Sequence, residues 1–404
     1  NTTKRGRDSH RGDTHRPTDR ETTMNLSLHN RDFGFTEALC RGFRTGFLSD
    51  ADYHHLTQCE TLEDMKLNLA ETDYETFLAN ESSVTPAVIL EASTKKMVEE
   101  FKFLRAQAAE PLATFLDYIT YEYMIDNVML LLKGTISGRD VNELMDQCHP
   151  LGLFQEATMR SIPTFENSPK GYADLYQTVL VDTPIGPYFA RFLAESSETI
   201  GNAGEMRNVL VEVSMEIIKN SLVKLYLEDF EDLCSSKIGG DTAVVMGEIL
   251  KARADQRAIN ITLNSFGTPL NEPSMRQTDR KRLYPSIGFL YPAGTEKLAG
   301  VSDEATLAAA ITPFPVYRDI WAVHQNESID DRSIDDAFYE REVQMLELAF
   351  EGQMHFGIYY AYVKLKEQEI RNLVWISECI VQQQKDEINK FVPCFSHSAP
   401  WRTN

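Results

Sequence analysis

His355-Phe-Gly-Ile-Tyr-Tyr-Ala-Tyr-Val-Lys-Leu-Lys-Glu-Gln-Glu-Ile-Arg-Asn-Leu-Val-Trp-Ile-Ser-Glu-Cys-Ile380 is the stretch that decides the fold class. Phe356, Tyr359, Tyr360, Val363, Ile370, Val374 and Val381 recur at helical spacing and form one apolar stripe. The pattern predicts a helix from about His355 to Lys385, roughly 45 Å long at about 1.5 Å per residue. Gly357 costs a little helix propensity near its start but permits close packing.

The rest of the chain follows the same period. Leu112, Phe115, Leu116, Ile119 and Tyr123 fall on one helix face, with Pro111 just ahead, where a first turn tolerates proline. Val128–Leu132 is apolar all round, so this helix is expected to be buried. Gly134 and Gly138 read as its stop signals. Loops are expected over 161–171, 267–285 and 312–331, where Pro and Gly cluster. Ile259–Leu263 alternates like a strand, but inside a longer helical pattern. The fold class is therefore all-α.

A faint internal repeat accompanies the helices. Thr72-Asp-Tyr74-Glu-Thr-Phe77, Thr183-Pro-Ile185-Gly-Pro-Tyr188 and Thr312-Pro-Phe314-Pro-Val-Tyr317 place an apolar residue two positions after Thr and an aromatic five positions after. Each copy follows a long apolar segment ending near a glycine: Gly46, Gly134 and Gly267. Three related helical repeats are expected. A second echo joins Asp255-x-Arg257 to Glu369-x-Arg371. Residues two apart do not share a helix face, so acid and base must meet different partners. Arg257 and Arg371 are expected to anchor the inner side of two related helices, through acids or carbonyls. The alternatives are a solvated polar stripe, or arginines that meet a partner only on assembly.

Composition narrows the function. A net charge of −21 repels phosphate backbones, which excludes nucleic acid as a natural partner and disfavours anionic lipid. The longest clean apolar run is Val128–Leu132, far short of the roughly 18 residues that span a bilayer. Membrane association is thus expected only through partner subunits. Six cysteines without a C-x-x-C spacing read as free thiols. Residues 1–23 carry no aliphatic or aromatic side chain and are expected to be a disordered extension, with Met24 the natural start and 24–404 one helical domain.

No chemistry-bearing motif stands out. Neither G-x-x-x-x-G-K-[ST] nor G-x-G-x-x-G occurs, and there is no H-E-x-x-H or G-x-S-x-G. No catalytic, cofactor-binding or metal-binding residue is assigned. Asp330-Asp331-Arg332-Ser333-Ile334-Asp335-Asp336 resembles the aspartate-rich motif of helical Mg-dependent diphosphate enzymes, which is the alternative reading. Its spacing is one residue too long for D-D-x-x-D. Ser333 and Asp336 instead suit a capping box at a helix start.

A family resemblance rests on longer stretches. Gln58-Cys-Glu-Thr-Leu-Glu-Asp-Met-Lys-Leu-Asn-Leu, Glu110-Pro-Leu-Ala-Thr-Phe-Leu-Asp-Tyr-Ile-Thr-Tyr, Met124-Ile-Asp-Asn-Val, Cys148-His-Pro-Leu-Gly, Leu180-Val-Asp-Thr-Pro and the His355–Ile380 segment resemble the d-subunit family of the V-type ATPase membrane (V0) sector. The likeness runs from about Asp32 to Phe395. It departs over residues 195–206 and 293–329. It implies a funnel-like all-α fold similar to that of the archaeal-type C subunits. It also implies a non-catalytic role: capping the proteolipid c-ring and coupling it to the central stalk subunits D and F, beside other V0 subunits. The implied place is the cytosolic face of vacuolar or other acidic endomembranes, held peripherally. No cofactor is implied. The structural or interface candidates are Asp255, Arg257, Glu369, Arg371, Asn372 and Asp126.

Overall fold

The computed structural model describes residues 19–78, 81, 83–162, 171, 174–197, 211–325 and 333–397. Among them the regular structure is helical throughout, so Ile259–Leu263 is helix. The principal helices are α1 (Asp19–Phe43), α2 (Asp50–Gln58), α3 (Leu62–Leu69), α4 (Pro86–Gln107), α5 (Leu112–Ile136), α6 (Val141–Asp146), α7 (Glu156–Ser161), α8 (Gly186–Ser197), α9 (Val211–Asp232), α10 (Gly240–Ser265), α11 (Ala293–Gly300), α12 (Glu304–Ile311), α13 (Pro315–Gln325), α14 (Ile334–Glu351) and α15 (Gly357–Gln382). The expected disordered extension falls mostly on residues 1–18, which lie outside the described residues; α1 begins at Asp19.

The C-terminal helix forms as its stripe requires, but its limits and its far end differ. Gln383 adopts the left-handed conformation and stops α15 before Lys385. Val381 is 54% exposed, while Leu373, Ile376 and Ile380 are buried. The expected stripe repeated at about 3.5 residues, whereas a straight helix turns at about 3.6, so the buried face drifts by about 20° per heptad. Gly134 does not end α5 either. It sits inside the helix because a Cβ there would lie 2.1 Å from Leu144 Cδ1; the left-handed Gly138 lies just past the end. Two expected loops are partly helical. Short turns fill Pro269–Arg280, and α13 lies in the 312–331 segment because Tyr317, Ile320 and Trp321 bury one face of it.

Three apolar cores show the repeats. One holds Leu48–Ile89 against the second half of α15; another holds Ala258–Phe338; the largest joins α4, α5, α9, the first half of α10, α14 and the first half of α15. The three repeated threonines act alike. Thr72, Thr183 and Thr312 each return their hydroxyl to a carbonyl three or four residues upstream, on Leu69, Leu180 and Ala308. From each copy a tyrosine reaches a carboxylate on a long helix: Tyr74 to Glu369 at 2.6 Å, Tyr188 to Asp229 at 2.8 Å and Tyr317 to Asp255 at 2.6 Å. An amide clamp also recurs. Asn127 bonds both backbone groups of His149, and Asn372 both of Val392. All six cysteines are buried free thiols.

Candidate functional site

α5, α10 and α15 border a polar pocket of about 320 Å³, and α14 contributes to its wall. Each helix offers it residues three or four apart, hence one face. Glu122 and Asp126 come from α5, Arg253 and Arg257 from α10, and Lys364, Glu367 and Arg371 from α15.

Glu122 is the hub. Arg253 lies 2.7 Å from one of its oxygens and Lys364 3.1 Å from the other. Burial opposes the Glu122 charge, yet the two cations beside it hold its pKa at about 2. Lys364 is shifted the opposite way. Burial works against its charge, but Glu122 and Glu367 outweigh this and raise it. Glu367 is 2.9 Å away. Arg253 also donates to the Tyr360 hydroxyl. The network ties all three long helices together with charge-assisted bonds.

The six candidate residues divide between this pocket and the opposite helix faces. Asp126 lines the pocket and pairs with Lys219 at 2.9 Å. Arg257 and Arg371 line it too. The expectation of arginine anchors does not match their contacts. Arg257 has a solvent-shielded Nε without a hydrogen-bond partner. Arg371 is exposed, donates to Gln368 and lies 4.0 Å over the Tyr339 ring. The physical reason is the two-residue offset, which turns the acids outward into the cores and the bases inward to the pocket.

The acids are the anchors. Glu369, 0% exposed, accepts from Leu48 N at 2.7 Å and Lys366 Nζ at 2.8 Å as well as from Tyr74. Asp255, 1% exposed, accepts from Phe289 N at 2.9 Å and Leu290 N at 3.1 Å as well as from Tyr317. Its donors are all neutral, and burial raises its pKa to about 6. Gly288, at φ +123, lets the Phe289–Leu290 segment approach; a Cβ would lie 2.2 Å from Asp255 Oδ1. Asn372 is the amide of the second clamp and also meets the Tyr53 hydroxyl at 3.1 Å.

An arginine that does anchor through carbonyls is Arg280. Fully buried, it donates to Ser265 Oγ and to the carbonyls of Leu298, Ala299 and Val301 at the end of α11. Sequence reading missed it, since it fell in an expected loop. Glu122, Arg253 and Lys364 were missed as well. Stepping four residues back along the helix from Asp126 and Arg257, and seven back from Arg371, finds all three.

The aspartate cluster behaves as a helix start. Ser333 accepts from Asp336 N, and Asp336 returns to Ser333 N, ahead of Ala337 and Phe338. Asp330 and Asp331 lie outside the described residues. Among the described residues no group of three His, Cys, Asp or Glu could hold a metal ion, and no helix is long and apolar enough to cross a membrane.

Comparison with known proteins places this architecture. The sequence model of the ATP synthase (C/AC39) subunit family matches residues 36–391. The V-type proton ATPase subunit d of Dictyostelium discoideum is 46% identical over 371 residues, spanning 92% of this chain and 97% of that protein. Its counterpart in Saccharomyces cerevisiae, also a V-type proton ATPase subunit d, is 39% identical over 368 residues, spanning 91% and 98%. The C subunit of the A-type ATP synthase of Thermococcus onnurineus is 19% identical over 355 residues, 86% of each. With a near full-length match to these d subunits and three helical repeats closed by the same device, the chain belongs to the family of V-type proton ATPase d subunits.

Proposed function

We propose that this non-catalytic protein caps the proteolipid c-ring and passes torque between it and the central stalk subunits D and F, within the V0 sector of a V-type proton ATPase. The observation that carries this reading is the family match across residues 36–391. Physical support comes from stiffness. A coupling piece must transmit force without shearing its own helices. Here the Glu122 network joins the three long helices on one side, and tyrosine–carboxylate and asparagine clamps hold them on the other.

Its place, on this reading, is the cytosolic face of vacuolar or other acidic endomembranes, peripheral and held by the proteolipid ring and other V0 subunits. Nucleic acid has no part in it, since a chain of net charge −21 repels phosphate backbones. Affinity purification of the tagged full chain tests the reading. Proteolipid and stalk subunits should co-purify, and removal of the chain should abolish ATP-driven proton uptake while ATP hydrolysis by the catalytic sector continues. A chain that recovers neither partner, or whose loss leaves proton uptake intact, overturns it.

A further inference from the structure

Among the described residues Arg257 makes no direct ion pair or hydrogen bond, although Glu122, Asp126 and Glu216 lie near enough to favour its charge. Its Nε is shut off from solvent and unpartnered. Burial lowers its pKa, with Glu122 opposing that shift and Arg253 adding to it. Glu122 is already engaged by Arg253 and Lys364. Arg371 opens on the same pocket from α15, and among the described residues it forms no ion pair and donates only to Gln368. Its stacking on Tyr339 and its bond to Gln368 fix the plane of the guanidinium and leave N–H edges free. By contrast Arg253, Lys364 and Lys219 each hold a carboxylate. The two bases without an ion pair occupy matching positions, each two residues after an acid that latches a repeat.

We propose that Arg257 and Arg371 form a receptor for carboxylate side chains on a protein segment that enters this pocket on assembly. The planar fork of arginine suits bidentate carboxylate recognition, and a desolvated guanidinium without an acceptor favours a partner that supplies one. A tethered segment fits better than a free anion. Asp126, Asp335, Glu342 and Glu367 line the same pocket, so a free phosphate meets no net positive field. A docked segment brings a high local concentration of its carboxylate and can offer cations to those acids. The proposal rests on the coupling reading above, which supplies the segment from the central stalk.

The test uses the immobilised full chain, with purified central-stalk subunits as one probe and inorganic phosphate as the other. Wild type should bind the stalk, and Arg257→Gln/Arg371→Gln should bind it roughly tenfold or more weakly through faster release. Arg257→Lys/Arg371→Lys should recover only part of the affinity, because an ammonium lacks the fork. Should the double variant misfold, Arg371→Gln alone, at an exposed side chain, should still weaken stalk binding measurably. Equal affinity of a folded variant and wild type overturns the proposal alone. Phosphate binding that depends on both arginines, with stalk binding unchanged in the variant, overturns it in favour of a small-anion site. Failure of wild type to bind the stalk overturns the coupling reading and this proposal with it.

Discussion

Replacing Glu369 by Ala removes the acceptor of three buried donors at once. Its carboxylate takes bonds from Tyr74 Oη, Leu48 N and Lys366 Nζ, at 2.6, 2.7 and 2.8 Å. Lys366 is 2% exposed, so the substitution would leave an ammonium in the core without a counter-charge, held only by the Gly46 carbonyl, the Tyr74 hydroxyl and the Phe47 and Tyr74 rings. Breaking one side of a buried pair costs about 3–5 kcal/mol. At about 2.1 cal/mol/K per residue, a chain of 404 residues loses roughly 1.2 °C of Tm per kcal/mol, so the expected drop is roughly 4–6 °C. Calorimetry on the purified chain reads this directly. The control is Glu369→Leu with Lys366→Met, which removes both charges and should regain most of the loss, because an apolar pair incurs no desolvation cost. A single variant that melts with the wild type, or a double variant no better than the single, would refute the reasoning.

The remaining expectations concern pH, a buried cation and a glycine. The folded pKa of Asp255, about 6, lies above its usual 3.8, so its stabilising contribution is full below about 3.8 and fades as pH rises through 6, by up to about 3 kcal/mol. Asp255→Asn should flatten that limb in urea midpoints measured between those pH values. Glu122 acts in the opposite sense: held at about 2 against the usual 4.5, it stabilises above 4.5 and loses this as pH falls, so Glu122→Gln should make the acid limb shallower. Arg280→Leu should cost about 1–3 kcal/mol in chemical denaturation, since it removes the donor to the Val301 carbonyl and one of two donors to those of Leu298 and Ala299. Gly134→Ala should destabilise by about 1–3 kcal/mol despite alanine's better helix propensity, because Leu144, itself fully buried, has no room to yield; a gain in Tm would contradict this.

Much of the fold was legible in the sequence. Helical period gave the long helices, the Ser333 box and the burial of Leu112–Tyr123, because each depends on residues close in sequence. The repeated threonine motif pointed to three related units, yet not to their closing bonds. The closing tyrosine is Tyr74, at the second position after Thr72, in one copy and Tyr188 or Tyr317, at the fifth, in the others. A pattern fixed on one offset could not identify it. Arg280 and Glu122 were invisible for another reason: their partners are 9–21 residues away for Arg280, and 131 and 242 residues away for Glu122. Long-range pairing of that kind is set by tertiary packing rather than by local spacing.

The offset between acid and arginine ties the repeat to the pocket. On α10, Asp255 faces outward to Tyr317 and Arg257 inward; on α15, Glu369 faces outward to Tyr74 and Arg371 inward. Each helix is therefore gripped by its repeat on one side while presenting a base on the other. A force applied at the pocket passes through the same helix turn to the outer latch. The two latches differ in kind. Glu369 is paired with Lys366 at 2.8 Å, whereas Asp255 relies on neutral donors alone. A rise in pH that ionises Asp255 leaves a buried carboxylate with neutral donors only, which weakens the third repeat and leaves the α15 latch untouched. Unequal rigidity between related repeats follows from one lysine, and hydrogen exchange at Phe289 and Leu290 is where it should be seen. Their amides should exchange at rates that change between about pH 5 and 7, after correction for intrinsic chemistry, while Leu48 should not. Identical pH behaviour at the three amides would show that the lysine makes no such difference.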